Sequence, residues 1–188
     1  MESWNKAQSI VGTSKGRPKN DFYPTPPIAT EKLLNVETFY GKILEPACGN
    51  GAISDVLINW WASYEVMSSD LYKYGYGLHG IDFLGDYYTD WSNGSIITNP
   101  PFNLMYQFME KAMKLNPIKF AYLAKLSLLE GQKRSKLLEN TPLKNVWVFR
   151  KRIQMTRNGE PERGGGMIAF AWFVWERDYD GKPMIGWI

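Results

Sequence analysis

The sequence predicts an α/β three-layer sandwich, with a mostly parallel sheet, helices on both faces and an antiparallel last strand. Three observations carry that expectation. Short apolar runs of strand length alternate with segments whose apolar residues recur at helical spacing. The first run opens into a helix through a glycine turn, Gly49-Asn50-Gly51. Met167 to Trp175 is an unbroken apolar run of nine residues, too short to span a membrane and dense enough for a buried strand.

Composition bounds the function. A chain of 188 residues with 44% hydrophobic and 15% aromatic content is long enough for one domain with a real core, and it excludes an extended disordered polymer. A net charge of +3 permits a nucleic-acid partner without demanding one, so local clusters must decide. Cys48 is the one cysteine, which rules out an internal disulfide. The start, Met1-Glu2-Ser3-Trp4, lacks the basic-then-apolar pattern of a signal peptide. The expectation is a cytoplasmic protein with no membrane span.

Residues 1–20 carry Lys6, Lys15, Arg17 and Lys19 among Gly12, Gly16 and Pro18 without a sustained period. They read as a flexible basic arm, either a solvated tail or a segment that contacts phosphates. Residues 21–188 read as a single domain. Asp21-Phe22-Tyr23-Pro24-Thr25 delays helix formation until Thr25, the expected cap, with Pro26 at the first helical position and Ile28, Leu33 and Leu34 on the apolar side. Phe22 and Tyr23 either close a pocket or staple that helix to the core.

Ile43-Leu44 is the first strand, and Ile53, Val56, Leu57, Trp60 and Trp61 mark the core face of the following helix. Between them, Gly49 and Gly51 allow a tight turn and a close approach to a ligand. The full G-x-G-x-x-G and the P-loop lysine are both missing, which disfavours a dinucleotide or a triphosphate. Glu45, at the strand end, is placed to accept a hydrogen bond from an ammonium or amide. Asp70 closes the strand from Tyr64, where doubly wound folds put the acid that binds ribose hydroxyls. Asp82 is placed to accept from an adenine amino group, with Phe83 against the ring. A glycine turn, a ribose acid and an adenine acid without a phosphate cradle describe an adenosine lacking phosphates, as in S-adenosylmethionine.

Asn99-Pro100-Pro101-Phe102 follows the strand Ser95-Ile96-Ile97-Thr98. The prolines stiffen the chain, so the Asn99 side chain and the Pro100 carbonyl form two fixed acceptors suited to an NH2 group, and Phe102 offers a face to a planar ring. The plain alternative is a strand end punctuated by a Pro-Pro turn with a buried Phe. Leu104, Met105, Phe108, Met109, Ala112 and Met113 form a helical core stripe. Lys119–Ala124 and Val146–Phe149 read as strands, Gly131–Asn140 as a helix, and Met167–Trp175 as the last strand.

The segment 150–166 holds Arg150, Lys151, Arg152, Arg157 and Arg163, with Asn158-Gly159 and three consecutive glycines. It reads as a basic hairpin for groove and phosphate contact, or as a solvated hairpin partly neutralised by Glu160 and Glu162. The aromatic content of the last strand hints at a homodimer. His79 lacks a second ligand nearby and no Cys/His cluster exists, so no metal is expected.

Taken in order, Asp21-Phe22-Tyr23-Pro24-Thr25, Glu45-Pro46-Ala47-Cys48-Gly49-Asn50-Gly51, Asp70, Asp82-Phe83 and Asn99-Pro100-Pro101-Phe102 resemble the motifs of amino-group DNA methyltransferases with the Rossmann-like class I methyltransferase fold. More narrowly, the chain is similar to small adenine-N6 methyltransferases of phages and prophages, in which an aromatic-Pro-Thr-Pro segment precedes the cofactor loop. The likeness runs from about residue 21 to the C-terminus. It implies S-adenosylmethionine as cofactor and S-adenosylhomocysteine as product, bound by Phe22, Tyr23, Pro24, Thr25, Glu45, Pro46, Ala47, Cys48, Gly49, Gly51, Asp70, Asp82, Phe83 and Asn99. It further implies catalysis by Asn99, Pro100, Pro101 and Phe102 on a flipped adenine of double-stranded DNA, in a bacterial or phage-infected cytoplasm.

About 86 residues follow Phe102, which leaves little room for a separate target-recognition domain and hands that role to the basic hairpin. Cys48 lies in the cofactor turn, so packing is its expected role and thiolate chemistry at cytosine C5 is not. Methylation of RNA, of cytosine N4 or of a protein glutamine amide stays open, as does a catalytically silent nucleic-acid-binding module.

Overall fold

A computed structural model describes residues 22–60, 65–157, 160–161 and 168–188. The basic arm 1–20, Asp21, Trp61, Tyr64, the Asn158-Gly159 turn, Arg163 and the stretch 164–167 lie outside the described residues.

Alternating apolar runs and helical stripes give a βα succession. Helix α1 (Pro27–Leu34) leads into β1 (Lys42–Glu45), α2 (Ser54–Trp60), β2 (Val66–Asp70), β3 (Leu78–His79) and β4 (Gly94–Thr98). Then come α3 (Met105–Leu115), β5 (Lys119–Lys125), α4 (Gln132–Glu139) and β6 (Leu143–Val148). A short pair, β7 (Thr156–Arg157) and β8 (Glu160–Pro161), precedes β9 (Phe170–Glu176) and β10 (Met184–Trp187).

Eight strands form one sheet in the order β10-β6-β9-β5-β4-β1-β2-β3. Within it β9 alone runs antiparallel, inserted between β5 and β6, while every other described pairing is parallel. This is the expected architecture, with one strand more.

Successive residues of a strand point to opposite faces, and that period of two divides the core. Leu44, Ile96, Phe120 and Tyr122 meet Met105, Phe108, Met109 and Ala112 of α3 on one face. Ile43, Ile97, Ala121 and Leu123 meet Ala29 and Leu33 of α1 and Val56 and Leu57 of α2 on the other. Each fully buried Leu, Ile or Phe there contributes about 1.5–3 kcal/mol before entropy is counted. The central strands read as continuous apolar runs because both faces are covered.

Four expectations need correction. The helix α1 starts at Pro27, with Pro26 as its cap residue and no side-chain capping bond, because the hydroxyl of Thr25 is used elsewhere. Ile28 and Trp60 are half exposed, since short helices of eight and seven residues bury only a narrow stripe. The aromatics of β9 are not a surface: Trp172, Phe173 and Trp175 are fully buried, Trp175 stacks on Phe120 at 4.7 Å, and Trp172 Nε1 donates to the Ala29 carbonyl. Finally, β9 is not last. The edge strand β10 pairs in parallel with β6, and Gly186 there lets the backbone lie against the Trp147 ring, where a Cβ would come within 2.1 Å.

The amino ends of β5 and β6 and the end of β9 are tied together by buried charge. Lys119 Nζ lies 2.9 Å from Glu37 and 3.0 Å from Glu176, and Glu37 also accepts from Asn145 and Trp147. Burial alone would lower the Lys119 pKa, but its two carboxylate partners raise it above the usual lysine value. This network holds the sheet at the end remote from the cavity.

Candidate functional site

A cavity of about 340 Å³ opens at the carboxyl ends of β1, β2 and β4. Parallel strands all point their carboxyl ends one way, so residues that follow them converge there. Glu45 ends β1, Asp70 ends β2 and Asn99 follows β4, and all three line the cavity.

The turn after β1 is built on positive φ. Gly49 has φ +54°, and its N–H donates to Asp70 Oδ2 at 2.9 Å. A Cβ on Gly49 would meet the Phe22 ring at 2.5 Å, so the aromatic segment before α1 closes directly on this turn. Phe22 in turn stacks on Tyr74 with centroids 4.2 Å apart and planes 12° from parallel. Pro46, Ala47 and Cys48 complete this wall, and Tyr23, Pro24 and Thr25 line the cavity from the aromatic segment. Gly51, with φ +88°, faces Tyr76 and not the cavity.

The three acids occupy different environments. Asp70 is buried, accepts from the Gly49 and Tyr72 amides, and has its pKa raised because burial outweighs those two bonds. Glu45 is 1% exposed and accepts from the Ser54 hydroxyl, which also bonds Ser68 at 2.6 Å. Burial pushes its carboxyl well above the usual range, with the charges of Asp70 and Asp55 adding to the effect. A buried acid of this kind holds its proton until a cation approaches. Asp82 is exposed at the rim and caps the amide of Leu84 at 2.9 Å. Phe83 lines the cavity but belongs to the core, 2% exposed and packed on Phe108 at 4.9 Å.

Asn99 is anchored by what it donates. Its Nδ2 gives one hydrogen bond to the Tyr23 carbonyl and one to Thr25 Oγ1, both at 3.1 Å, which fixes the amide plane. Its Oδ1 is buried and has no hydrogen-bond partner. Pro101 lines the cavity, whereas the buried Pro100 and the partly exposed Phe102, both expected at the site, do not. The Phe102 ring packs on Tyr23 at 5.6 Å and Phe170 at 5.7 Å, and Lys125 Nζ lies 4.9 Å from its centroid. The expected stacking face therefore has a cation beside it.

Cys48 is a free, buried thiol on the cavity wall. Burial, then the nearby Glu45 and Asp70, push its thiol up to about 12, which disfavours the thiolate at neutral pH. Arg150, Lys151 and Arg152 are exposed just past the carboxyl end of β6. Arg157 stands opposite Glu160 in the β7–β8 pair, and Arg163 lies outside the described residues. Among the described residues no group of three potential metal-ligating side chains converges, and no helix is long and apolar enough to cross a membrane.

Sequence reasoning missed Tyr72 and Tyr74 at the cavity wall and Ser54 beside Glu45. The alternation Tyr72-Lys73-Tyr74-Gly75-Tyr76-Gly77 was the available signal for the first two.

No family model and no curated protein sequence matches this chain. Solved structures do match it in fold. A Pyrococcus horikoshii protein proposed to be an RNA methyltransferase superposes with a TM-score of 0.61 at 16% identity, over 92% of this chain and 96% of that one. A Listeria monocytogenes protein proposed to be a class I S-adenosylmethionine-dependent methyltransferase gives 0.61 at 14%, over 98% and 72%. The methyltransferase subunit of a type I restriction-modification system from Streptococcus thermophilus gives 0.57 at 14%, over 94% of this chain and 48% of that subunit, so this chain spans about half its length. The fold is that of the Rossmann-like class I methyltransferases.

Proposed function

We propose that this protein is an S-adenosylmethionine-dependent methyltransferase acting on an amino nitrogen, with N6 of adenine in DNA as the favoured target. The observation that carries the reading is Asn99 Oδ1, a buried acceptor without a donor, held in a fixed plane on the cavity wall. An acceptor so placed needs an N–H, and an exocyclic amino group supplies one.

The residues present fit the cofactor. Gly49 provides a wall that any Cβ would obstruct, Asp70 a carboxylate at the ribose position, and Glu45 a buried acid for an ammonium group. Bound there, S-adenosylmethionine supplies a methyl group already activated by its sulfonium, so no covalent nucleophile is required of the chain. Asn99 Oδ1 accepts one amino hydrogen and so orients the nitrogen lone pair toward the cavity; Pro100, whose carbonyl the sequence offers as the second acceptor, is buried and does not line the cavity. Flipping a base out of a duplex costs a few kcal/mol. Stacking on Phe102, worth about 1–3 kcal/mol, offsets part of it.

The Streptococcus subunit supports the DNA reading, and the Pyrococcus protein supports RNA as the second. Cytosine N4 would use the same acceptor. A protein amide gains nothing from the cations past β5 and β6, and a silent module has no use for the Asn99 acceptor. A homodimer, if formed, would use β10, where Met184, Ile185 and Trp187 are exposed. Purified protein incubated with methyl-labelled S-adenosylmethionine and either DNA or RNA tests the reading: label in N6-methyladenine of DNA is expected, and label in RNA alone would replace the DNA reading by the second.

A further inference from the structure

Three residues that line the cavity stand directly before prolines: Tyr23 before Pro24, Thr25 before Pro26 and Asn99 before Pro100. A residue so placed is pushed to extended backbone and its follower has a fixed φ, so each of the three sits on a stiff stretch of chain. Asn99 follows β4, whereas its two partners lie 76 and 74 positions away, in the segment before α1. Thr25 is 3% exposed, and its Oγ1 accepts one Asn99 Nδ2 hydrogen while the Tyr23 carbonyl accepts the other, both at 3.1 Å. One such bond leaves an amide free to pivot about it; the second fixes the plane. With both hydrogens turned to the segment 22–25, Oδ1 is the atom left for a ligand, buried and without a hydrogen-bond partner. An amide turned over would set Oδ1 against the Tyr23 carbonyl, acceptor against acceptor, and would offer a donor where an amino group needs an acceptor.

We infer that Thr25 is a positioning residue for methyl transfer: its hydroxyl, together with the Tyr23 carbonyl, holds the Asn99 amide with Oδ1 turned to receive the target amino group. The inference rests on the amino-methyltransferase reading and adds to it a residue that acts through Asn99. The resemblance gives Thr25 as a cofactor contact; the bond to Asn99 Nδ2 gives its hydroxyl a task at the target side of the cavity. An acceptor fixed in advance serves the transition state better than one that must be turned into place, because no reorganisation is left to the moment of reaction. Removing the Thr25 hydroxyl leaves one Nδ2 hydrogen unpaired in a buried place, and the amide loses its single preferred plane.

The test is single-turnover transfer by the full chain from saturating methyl-labelled S-adenosylmethionine, with DNA and RNA offered separately. Thr25→Val and Thr25→Ala remove the hydroxyl with and without keeping the side-chain volume, and each is expected to lower the rate about tenfold, the size of one well-made hydrogen bond. Thr25→Ser, which keeps the hydroxyl, should restore most of the rate. In an Asn99→Ala background the same Thr25 substitutions should cost nothing further, because their effect passes through the Asn99 amide. The Asn99 side-chain amide resonance, identified by its absence in Asn99→Ala, should exchange with water more slowly in wild type and Thr25→Ser than in Thr25→Val. Wild-type rates in both hydroxyl-free variants, or an equal loss with and without Asn99, would overturn the inference while the methyltransferase reading stands. A wild type that transfers methyl to neither DNA nor RNA sinks that reading, and the inference with it.

Discussion

Asn99 spends both Nδ2 hydrogens on Tyr23 and Thr25 and receives nothing at Oδ1. A buried acceptor left unmade costs about 1–3 kcal/mol, a cost that a bound amino group relieves. Asn99→Ala should therefore lower transfer at saturating S-adenosylmethionine by roughly 100- to 1000-fold, the range for losing one preorganised polar contact. Phe102→Ala should lose less, roughly tenfold to hundredfold, in line with about 1–3 kcal/mol of stacking. Cys48→Ala should keep activity, and iodoacetamide should label wild-type Cys48 far more slowly than a free thiol at pH 8, because the thiol is pushed up to about 12. Glu45 gives a pH dependence of definite sign. Its folded-state pKa is raised, so the native state binds its proton more tightly than the unfolded chain, and the stability it contributes is lost as pH rises through the folded value. Glu45→Gln should flatten the fall in Tm above pH 5 and exceed wild type at pH 8; an unchanged Tm profile would contradict the assignment. Glu45, Asp70 and Asn99 were legible because each closes or follows a strand. Tyr74 and Lys125 were not, since their neighbours Phe22 and Phe102 come from distant parts of the chain.

Elements place these side chains, and the turn after β1 is the most sensitive of them. Gly49→Ala forces a Cβ into the Phe22 ring and adds a left-handed penalty of about 1–2 kcal/mol. Both a lower Tm and weaker S-adenosylhomocysteine binding are expected; a variant with wild-type binding would show that the turn is not a cofactor wall. The glycine signal for this element was readable in the sequence, as were β4, β5 and β9 as dense apolar runs. Two features were not. Thr25 had the residue type of a cap, but its hydroxyl accepts from Asn99, a partner 74 positions away. The edge strand β10 buries little, and its four residues, Met184-Ile185-Gly186-Trp187, lack the apolar–polar alternation that marks a half-buried strand.

For the molecule as a whole, the cavity and the buried ion network occupy opposite ends of the sheet. Glu37, Lys119 and Glu176 lock β5, β6 and β9 at the amino ends, and the cavity opens at the carboxyl ends. Removing one partner of a buried pair leaves the other uncompensated, so Glu37→Ala should cost about 3–5 kcal/mol in denaturant unfolding while the folded protein keeps its cofactor affinity. The α/β class was legible from alternation alone. The place of β9 between β5 and β6 was not, because an antiparallel buried strand has the same apolar composition wherever it inserts. The central claim is that Asn99 receives an amino group of DNA, and the most direct measurement is nucleoside mass spectrometry of DNA from a methylation-deficient host expressing wild type or Asn99→Ala. New N6-methyldeoxyadenosine in the first and none in the second is the expected result; equal amounts in both, or none in either from a protein that binds S-adenosylhomocysteine, would contradict it.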